Sequence, residues 1–192
     1  MFRRPLNHIV FGNHNTERPA ESPTHPRRIV MTKKGMYTYD YPRPMVTVDA
    51  VLFTQRDRRL AVLLIQRKHD PFRGRWALPG GFIEMDEPLD AAAARELHEE
   101  TDITGVPLEQ LHTFGDPKRD PRGRSIGVAH MAVVDWRAHS PRAADDAGDV
   151  AWLPVDELPR LAFDHSEIVE YAVGRLRTDP RYERQLRDLS PD

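Results

Sequence analysis

Three glutamates, Glu96, Glu99 and Glu100, fall within one turn of a predicted helix in the stretch RELHEET. Like charges at this spacing destabilise a helix by about 0.2–0.5 kcal/mol per pair. Arg95 can form an i,i+4 ion pair with Glu99, but it is not expected to serve the other two glutamates as well. Because Glu96 and Glu100 border the apolar side of the helix that carries Leu97, they should lie along the protein surface, where unpaired carboxylates are costly. A divalent cation would neutralise them.

The chemical type of these side chains indicates which cation would bind. The glutamates offer hard oxygen atoms, no histidine is placed to join them, and the chain contains no cysteine. Such ligands favour magnesium or manganese over zinc. The alternative is a solvated stripe of charge, which is what most charged runs are. A solvated stripe should lie opposite the apolar residues, so the spacing favours the metal site.

The elements that must position this helix can be predicted from hydrophobic periodicity and turn signals. The glutamate helix covers residues 89–101. A hairpin turns at Asp57, the stretch WALPGGFIE contains a short strand, and the sequence after residue 178 ends in a tail or a short exposed helix. The pattern predicts an α/β (α+β) fold, with a mixed β-sheet between helices in an α/β/α sandwich. The other predicted strands cover 45–54, 60–66, 108–114, 126–136 and 150–153, and a second long helix covers 165–177.

Composition limits the classes of function. The net charge of −2 does not favour binding to nucleic acid or to a membrane surface, and the absence of cysteine excludes disulfides and thiolate metal sites. No apolar run approaches the roughly 18 residues of a membrane span, and no signal peptide is visible, so we expect a cytoplasmic protein. Residues 1–42 are expected to be a disordered or poorly ordered extension, in which Met31 or Met36 is an alternative start to Met1.

Read outward, the helix belongs to the stretch GFIEMDEPLDAAAARELHEETDI, which closely resembles the Nudix box. The one departure is Asp102, where the family has glycine. That glycine ends the helix in a left-handed conformation, which aspartate also tolerates, so the cost should fall on stability and not on the metal ligands. The other fixed positions of the motif are filled by Gly81, Glu87, Arg95, Glu96, Leu97, Glu99, Glu100 and Ile103.

The resemblance implies roles for these residues. Glu96, Glu99 and Glu100 would hold Mg²⁺, or Mn²⁺ as a substitute, together with a backbone carbonyl near Gly80. Glu87 and Arg95 would orient the carboxylates through ion pairs. The family hydrolyses a nucleoside diphosphate linked to another group, by attack of a metal-activated water on phosphorus. The catalytic base is left open among Glu99, Asp116, Asp120, the acidic cluster 145–149 and Glu157.

Two further stretches, FGDPKRDPRGRSIGVAHMAVV and LAFDHSEIVEYAVGRL, resemble the bacterial ADP-ribose pyrophosphatase branch of the Nudix hydrolases. With the box, this resemblance covers residues 43–178 and implies a Nudix-type α/β/α sandwich that hydrolyses ADP-ribose to AMP and ribose 5-phosphate. Arginines could clamp the pyrophosphate and an aspartate could bind ribose hydroxyls, although a solvated turn explains each residue about as well. The candidates for substrate binding are Arg67, Arg119, Asp120, Arg122 and Arg124.

Other side chains have a structural and a functional interpretation. Phe53, Phe72 and Trp76 could stack on a base, but core packing is the commoner role of such aromatics. His165 follows the predicted N-cap Asp164, and a packed or capping histidine is favoured over a proton shuttle.

The box does not name the substrate, so two alternatives stay open. The first is a hydrolase of an oxidised nucleoside triphosphate, a nucleotide sugar or a dinucleoside polyphosphate. The second is a non-catalytic module that senses ADP-ribose beside a winged-helix DNA-binding segment. Only 14 residues follow residue 178, and all the glutamates of the box are present, so the enzyme is the expectation. Relatives of this kind form homodimers, which makes a second copy a candidate partner beside the nucleotide.

Overall fold

Two short strands, β1 (Ile29–Thr32) and β2 (Gly35–Thr38), pair as an antiparallel ribbon. The computed structural model describes residues 29–32, 35–143 and 147–189. The ribbon lies in the first of two units, 1–42 and 43–192. The sequence analysis expected no regular structure here, but β-branched residues such as Ile29 and Val30 favour strands. The expected disorder of residues 1–28 concerns a segment outside the described residues.

A mixed seven-stranded sheet organises the second unit. Its strand order is β5-β4-β3-β8-β7, with β6 also paired to β3 and β9 to β4. The β3–β8 pair is parallel and the others are antiparallel. The strands are β3 (Met45–Arg56), β4 (Arg59–Arg67), β5 (Trp76–Ala77), β6 (Gly80–Phe82), β7 (Glu109–Phe114), β8 (Ser125–Val133) and β9 (Ala147–Pro154).

Three helices cover the two faces of this sheet: α1 (Leu89–Thr101), α2 (His165–Thr178) and α3 (Pro180–Leu189). Successive residues of β3 point to opposite faces. Val51 and Phe53 pack in the core under α2 and α3, whereas Leu52 packs in the core that contains Leu97 of α1. The predicted α/β/α sandwich with a mixed sheet is therefore confirmed.

Most predicted elements are present, with informative differences at their ends. The β3–β4 hairpin turns through Asp57 and Arg58, both with positive φ. The strand predicted to reach residue 136 stops at Val133, because Asp135 accepts a hydrogen bond from the Arg137 amide and caps a short 3₁₀ helix, Trp136–Ala138. In the part of the chain that the structure describes, no helix is both long and apolar enough to cross a membrane.

The C-terminal helix α3 differs from the predicted exposed helix. Its Tyr182 is buried in the core under α2, and the Tyr182 hydroxyl donates a hydrogen bond to Glu109 of β7. The charged composition predicted an exposed helix, but Tyr182 and the partly buried Leu186 attach α3 to the core.

Candidate active site

Helix α1 presents its glutamates at the edge of its buried face. Ala93 and Leu97 are buried against the sheet, while His98 is exposed, as the helical spacing predicted. The side chain of Glu96 retains 14% exposure and that of Glu99 retains 48%. The carboxylates therefore follow a gradient from half-buried to exposed along one edge of the helix.

A glycine pair lets the sheet approach these carboxylates closely. A Cβ atom on Gly81 would lie 2.5 Å from Glu96 Oε2, and one on Gly80 would collide with the carbonyl oxygen of Val48. The amide of Gly80 donates to Glu100 Oε2 over 2.9 Å. At Gly80 the obstacle is backbone, so only glycine fits there, whereas a side chain at Gly81 would displace the Glu96 carboxylate from its place beside β6.

Arg95 holds the acidic groups in place. It donates twice to Glu87, with Nε–Oε2 at 3.0 Å and Nη2–Oε1 at 2.7 Å. Its Nη1 donates to Glu96 Oε1 at 2.7 Å and to Glu99 Oε2 at 3.1 Å. The sequence analysis expected Arg95 to serve only Glu99 among the three glutamates; this was wrong for Glu96, since Nη1 lies between the two carboxylates. Nη2 also donates to the Phe82 carbonyl, which ties β6 to this cluster.

The electrostatics of the cluster follow from partial burial. Desolvation raises the pKa of Glu96, and the guanidinium of Arg95 opposes this shift. The hydrogen bonds from Arg95 to Glu87 raise the pKa of Arg95 itself, so this cation stays charged. Proton and cation therefore compete for a carboxylate that is partly removed from water.

The donor chemistry fits a divalent cation. Among the described residues, no three acidic or histidine side chains are gathered tightly enough to hold a metal ion as they stand. Glu96 and Glu99 share Arg95 Nη1, and Glu100 bonds to the Gly80 amide. Glu96 and Glu100 contact the turn at Gly80 and Gly81, and Glu99 is connected to Glu96 through Arg95; carboxylate oxygens are the hard ligands that Mg²⁺ and Mn²⁺ prefer.

Strand β3 itself carries an acidic residue, paired with Gly80 of β6, that was not among the predicted site residues. Asp49 is 5% exposed, and its side chain adjoins Gly80. Its Oδ2 has no hydrogen-bond partner; Arg119 Nη2 is 3.7 Å away, and His165 Nε2 lies 3.5 Å from Oδ1. Burial raises the pKa of Asp49 to about 7, although Arg119 opposes the shift. An aspartate inside the apolar run MVTVDAVLF was the signal that could have found it.

Arg119, predicted to bind substrate, is instead committed to a buried ion pair. Its Nε and Nη2 donate to the two carboxylate oxygens of Asp164 over 2.8 and 2.9 Å. A Cβ atom on Gly127 would lie 2.6 Å from Arg119 Nη2, so a glycine in β8 makes room for the guanidinium. Asp164 stands at the predicted N-cap of α2, but its carboxylate binds Arg119 and makes no capping hydrogen bond.

His165 is the packed histidine that the sequence favoured over a proton shuttle. Its Nδ1 accepts a hydrogen bond from the Leu78 amide over 2.8 Å, which places the ring proton on Nε2. Burial, and after it the charge of the nearby Arg119, lowers the pKa of His165 to about 3. The neutral imidazole of His165 therefore links the start of α2 to Leu78, which lies between β5 and β6.

The other predicted substrate-binding residues separate into two groups. Asp120 is buried and receives a bidentate ion pair from Arg122, while Arg124 donates to the carbonyls of Gly115 and Asp116 and so shapes its own loop. In contrast, the guanidinium carbons of Arg67 and Arg122 both lie over one ring, Phe163, at 4.9 and 5.2 Å. The structure brings Arg67 and Arg122 together at Phe163, and both also hold loop groups, since Arg67 Nε donates to the Pro71 carbonyl and Arg122 pairs with Asp120.

Most acids proposed as alternative bases point elsewhere. Asp116 accepts from the Lys118 amide on an exposed turn, Glu157 pairs with Arg59, and Asp149 caps the Val150 amide. Asp145 and Asp146 lie outside the described residues.

The aromatics proposed to stack on a base have mainly packing contacts. Phe53 is completely buried in the core. Trp76 packs against the same core cluster under α2, and Phe72 meets Phe163 edge to face with ring centroids 4.9 Å apart. The structural interpretation of these rings is therefore favoured for Phe53 and Trp76.

Comparison with known proteins gives consistent matches. The NUDIX domain family matches residues 43–172. The chain is 39% identical over 147 residues to the "ADPR responsive transcriptional repressor NtrR" of Acinetobacter baylyi, covering 74% of this chain and 58% of that protein. It is 36% identical over 142 residues to the "ADP-ribose pyrophosphatase" of Methanocaldococcus jannaschii, covering 73% of this chain and 80% of that one.

A solved structure agrees with this. The NUDIX domain of Shewanella oneidensis NrtR complexed with ADP ribose superimposes with a TM-score of 0.66 at 41% identity, covering 72% of this chain and 94% of that domain. The chain therefore spans a whole domain of one neighbour but little more than half of the repressor.

Proposed function

This chain belongs to the NUDIX family, and from that premise we propose that it hydrolyses ADP-ribose to AMP and ribose 5-phosphate. The observation that carries the proposal is the intact acidic cluster, in which Arg95 holds Glu87, Glu96 and Glu99 while Glu100 bonds to the Gly80 amide. Two relatives support the substrate, one named an ADP-ribose pyrophosphatase and one solved with ADP ribose.

Nudix hydrolases generally use divalent metals, and we assign Mg²⁺ to this chain, with Mn²⁺ as a substitute. Glu96, Glu99, Glu100 and the carbonyl of Gly80 would hold it, since all are oxygen donors on α1 or on the glycine turn that Glu96 and Glu100 contact. When bound, the metal lowers the pKa of a coordinated water and offsets charge on the phosphoryl oxygens. Glu87 and Arg95 orient the ligands and need not touch the substrate.

The side chains of the site divide the remaining work. Glu99 is the most exposed of the glutamates held by Arg95, so we place it as the group that accepts the proton of the attacking water. Arg67 and Arg122 converge on Phe163 and offer guanidinium groups to the pyrophosphate. His165 is buried and neutral, and its Nδ1 lone pair already accepts a hydrogen bond from the Leu78 amide. It therefore holds the backbone at Leu78 in place and does not transfer a proton.

A substrate panel tests the proposal. The full chain with Mg²⁺ should release AMP and ribose 5-phosphate from ADP-ribose with a higher kcat/KM than it shows for NADH, diadenosine polyphosphates or 8-oxo-dGTP, measured by chromatography of the products. A preference for a triphosphate would overturn the substrate while leaving the hydrolase. Absence of turnover on the whole panel, with either Mg²⁺ or Mn²⁺, would overturn the enzyme.

One observation favours a second candidate, an ADP-ribose sensor. The repressor relative is 39% identical to this chain, against 36% for the pyrophosphatase. The discriminating measurement is calorimetry beside a turnover assay, because a sensor binds ADP-ribose with Mg²⁺ present and leaves it intact. The predictions of a cytoplasmic location, of a homodimer and of no nucleic-acid partner remain predictions.

A further inference from the structure

Phe82 is an exposed aromatic side chain directly beside the proposed metal turn. It follows Gly81 in β6 and leaves 43% of its surface open to solvent. Its backbone carbonyl accepts a hydrogen bond from Arg95, so the base of the side chain is fixed to the acidic cluster. Large exposed apolar groups are few in the described part of the chain, and this one has no packing role that explains its exposure.

The sheet register tells which way Phe82 points. Phe82 pairs with Thr47 of β3, and Gly81 pairs with Val48. Paired residues share a face, and neighbours along a strand alternate. Val48 and Gly81 face α1 and its glutamates, so Phe82 lies on the opposite face, with Thr47 and the loop that carries Arg122.

Two arginines and two rings form a layered arrangement on that face. Arg122 Cζ lies 4.9 Å from the centre of Phe82 and 5.2 Å from the centre of Phe163, and Arg67 Cζ lies 4.9 Å from Phe163. A bidentate ion pair with Asp120 fixes the plane of Arg122. Phe163 holds a left-handed backbone with φ of 50°, a strained state that concentrates at functional sites.

We infer that the exposed Phe82 ring, backed by the Arg122 guanidinium, is the platform on which the base of the nucleotide stacks. An aromatic residue that leaves 43% of its surface open to solvent, next to a fixed cation, offers stacking and cation–π attraction to a planar heterocycle. Phe82 lies on the face opposite the glutamates, but β6 pairs only with β3 in the described sheet and so forms an edge. A nucleotide that stacks on Phe82 would pass around this edge to place its phosphates beside the glutamates next to Gly81. This inference rests on the proposed function and adds the residue that selects nucleotides over simple pyrophosphates.

Phe82→Ala and Phe82→Leu test the platform. The dissociation constant for ADP-ribose, measured by calorimetry in EDTA so that no turnover occurs, should rise about tenfold for Phe82→Ala, the loss typical of one base–aromatic stack. Phe82→Leu keeps apolar volume without the ring and should lose nearly as much, whereas Phe82→Trp should retain binding. Inorganic pyrophosphate, which has no base, should bind all variants equally. Tyr171→Ala is the matched control, since Tyr171 is 41% exposed and stacks on His112 away from Arg122.

The outcomes separate this inference from the proposed function. Unchanged ADP-ribose affinity in both Phe82→Ala and Phe82→Leu overturns the platform, and so does an equal loss for pyrophosphate or no binding of ADP-ribose by the wild type. If the wild type cleaves ADP-ribose and the variants keep its KM, the platform is wrong and the function stands. If AMP and ADP-ribose bind through Phe82 without cleavage, the function is wrong and the platform stands.

Discussion

Two acidic clusters meet at Gly80, and each is built around one arginine, but they differ in their access to water. The α1 cluster is half open, with Arg95 at 26% and Glu99 at 48% side-chain exposure. In the second cluster, Arg119 and Asp49 retain 4% and 7%. Exposed ion pairs exchange partners readily, whereas a buried charge must keep its partner or lose several kcal/mol. The same chemical groups therefore suit cation exchange in one cluster and a fixed scaffold in the other.

The largest effect expected from this contrast is on turnover, in the α1 cluster. Glu100→Gln removes a ligand charge but keeps an oxygen that can accept from the Gly80 amide, so folding should be unchanged. Loss of about 3 kcal/mol of metal-dependent stabilisation would lower kcat roughly 100-fold. Steady-state assays of ADP-ribose hydrolysis measure kcat, and circular dichroism of the variant tests whether its folding is unchanged.

Glu170→Gln is the control, because Glu170 is an exposed glutamate of α2 with the same charge. It should retain wild-type turnover. Near-full activity of Glu100→Gln would show that Glu100 is not a metal ligand. It would also contradict the interpretation that the half-open α1 cluster binds and releases a cation.

The second prediction concerns stability, in the buried cluster. Arg119→Met removes the cation between Asp164 and Asp49 and should lower the free energy of unfolding by about 3–5 kcal/mol, the usual result of breaking a buried pair. Arg119→Lys keeps the charge without the bidentate geometry and should lose less. Urea unfolding followed by tryptophan fluorescence measures the difference.

Arg187→Met serves as the surface reference, because Arg187 pairs with Glu183 on α3 at 72% and 71% exposure. Its unfolding midpoint should match the wild type. If Arg119→Met is equally harmless, the buried cluster does not hold the loop to α2, and Arg119 returns as a candidate for substrate binding.

The two clusters also show what could be predicted from sequence. The α1 cluster lies within one helix and one preceding turn, so helical spacing and a contiguous motif located Glu87, Arg95 and the glutamates. The buried cluster joins β3, the β7–β8 loop and the start of α2, and Arg119 contacts Asp164 across 45 residues of sequence. No local pattern encodes that contact, so Asp49 was missed, and Arg119 read as a phosphate ligand. The contacts of Arg122 with the rings of Phe82 and Phe163 could not be predicted for the same reason.

A third prediction uses pH to distinguish the two buried titratable groups. Between about pH 4 and 7 the folded protein keeps a proton on Asp49 that the unfolded chain releases, so the free energy of unfolding falls as pH rises. Between about pH 3 and 6.5 the unfolded chain protonates His165 and the folded protein does not, so the free energy of unfolding rises with pH. The two slopes oppose each other where the windows overlap.

Asp49→Asn removes only the first contribution. The free energy of unfolding of this variant should rise with pH more steeply than that of the wild type between pH 4 and 6.5, by up to about 1.4 kcal/mol per pH unit for one proton. Urea titrations at several pH values give the two curves. Parallel curves would mean that Asp49 titrates like an exposed aspartate. The cluster around Arg119 would then not be excluded from water.

The smallest expected effect is at the C-terminal end of α1, where a substitution should change the free energy of unfolding and leave kcat unchanged. Asp102 ends the helix with φ of 60°, its amide bonded to the His98 carbonyl, in the conformation that glycine adopts without strain. Asp102→Gly should therefore raise the free energy of unfolding by about 0.5–1 kcal/mol, reduced by the greater freedom of glycine in the unfolded chain, and Asp102→Ala should lower it. Residue 102 makes no contact with Arg95, so kcat should match the wild type in both variants. A change in kcat with Asp102→Gly would show that the helix end tunes the glutamates, through the backbone of α1 or through the contact between Asp102 and His98.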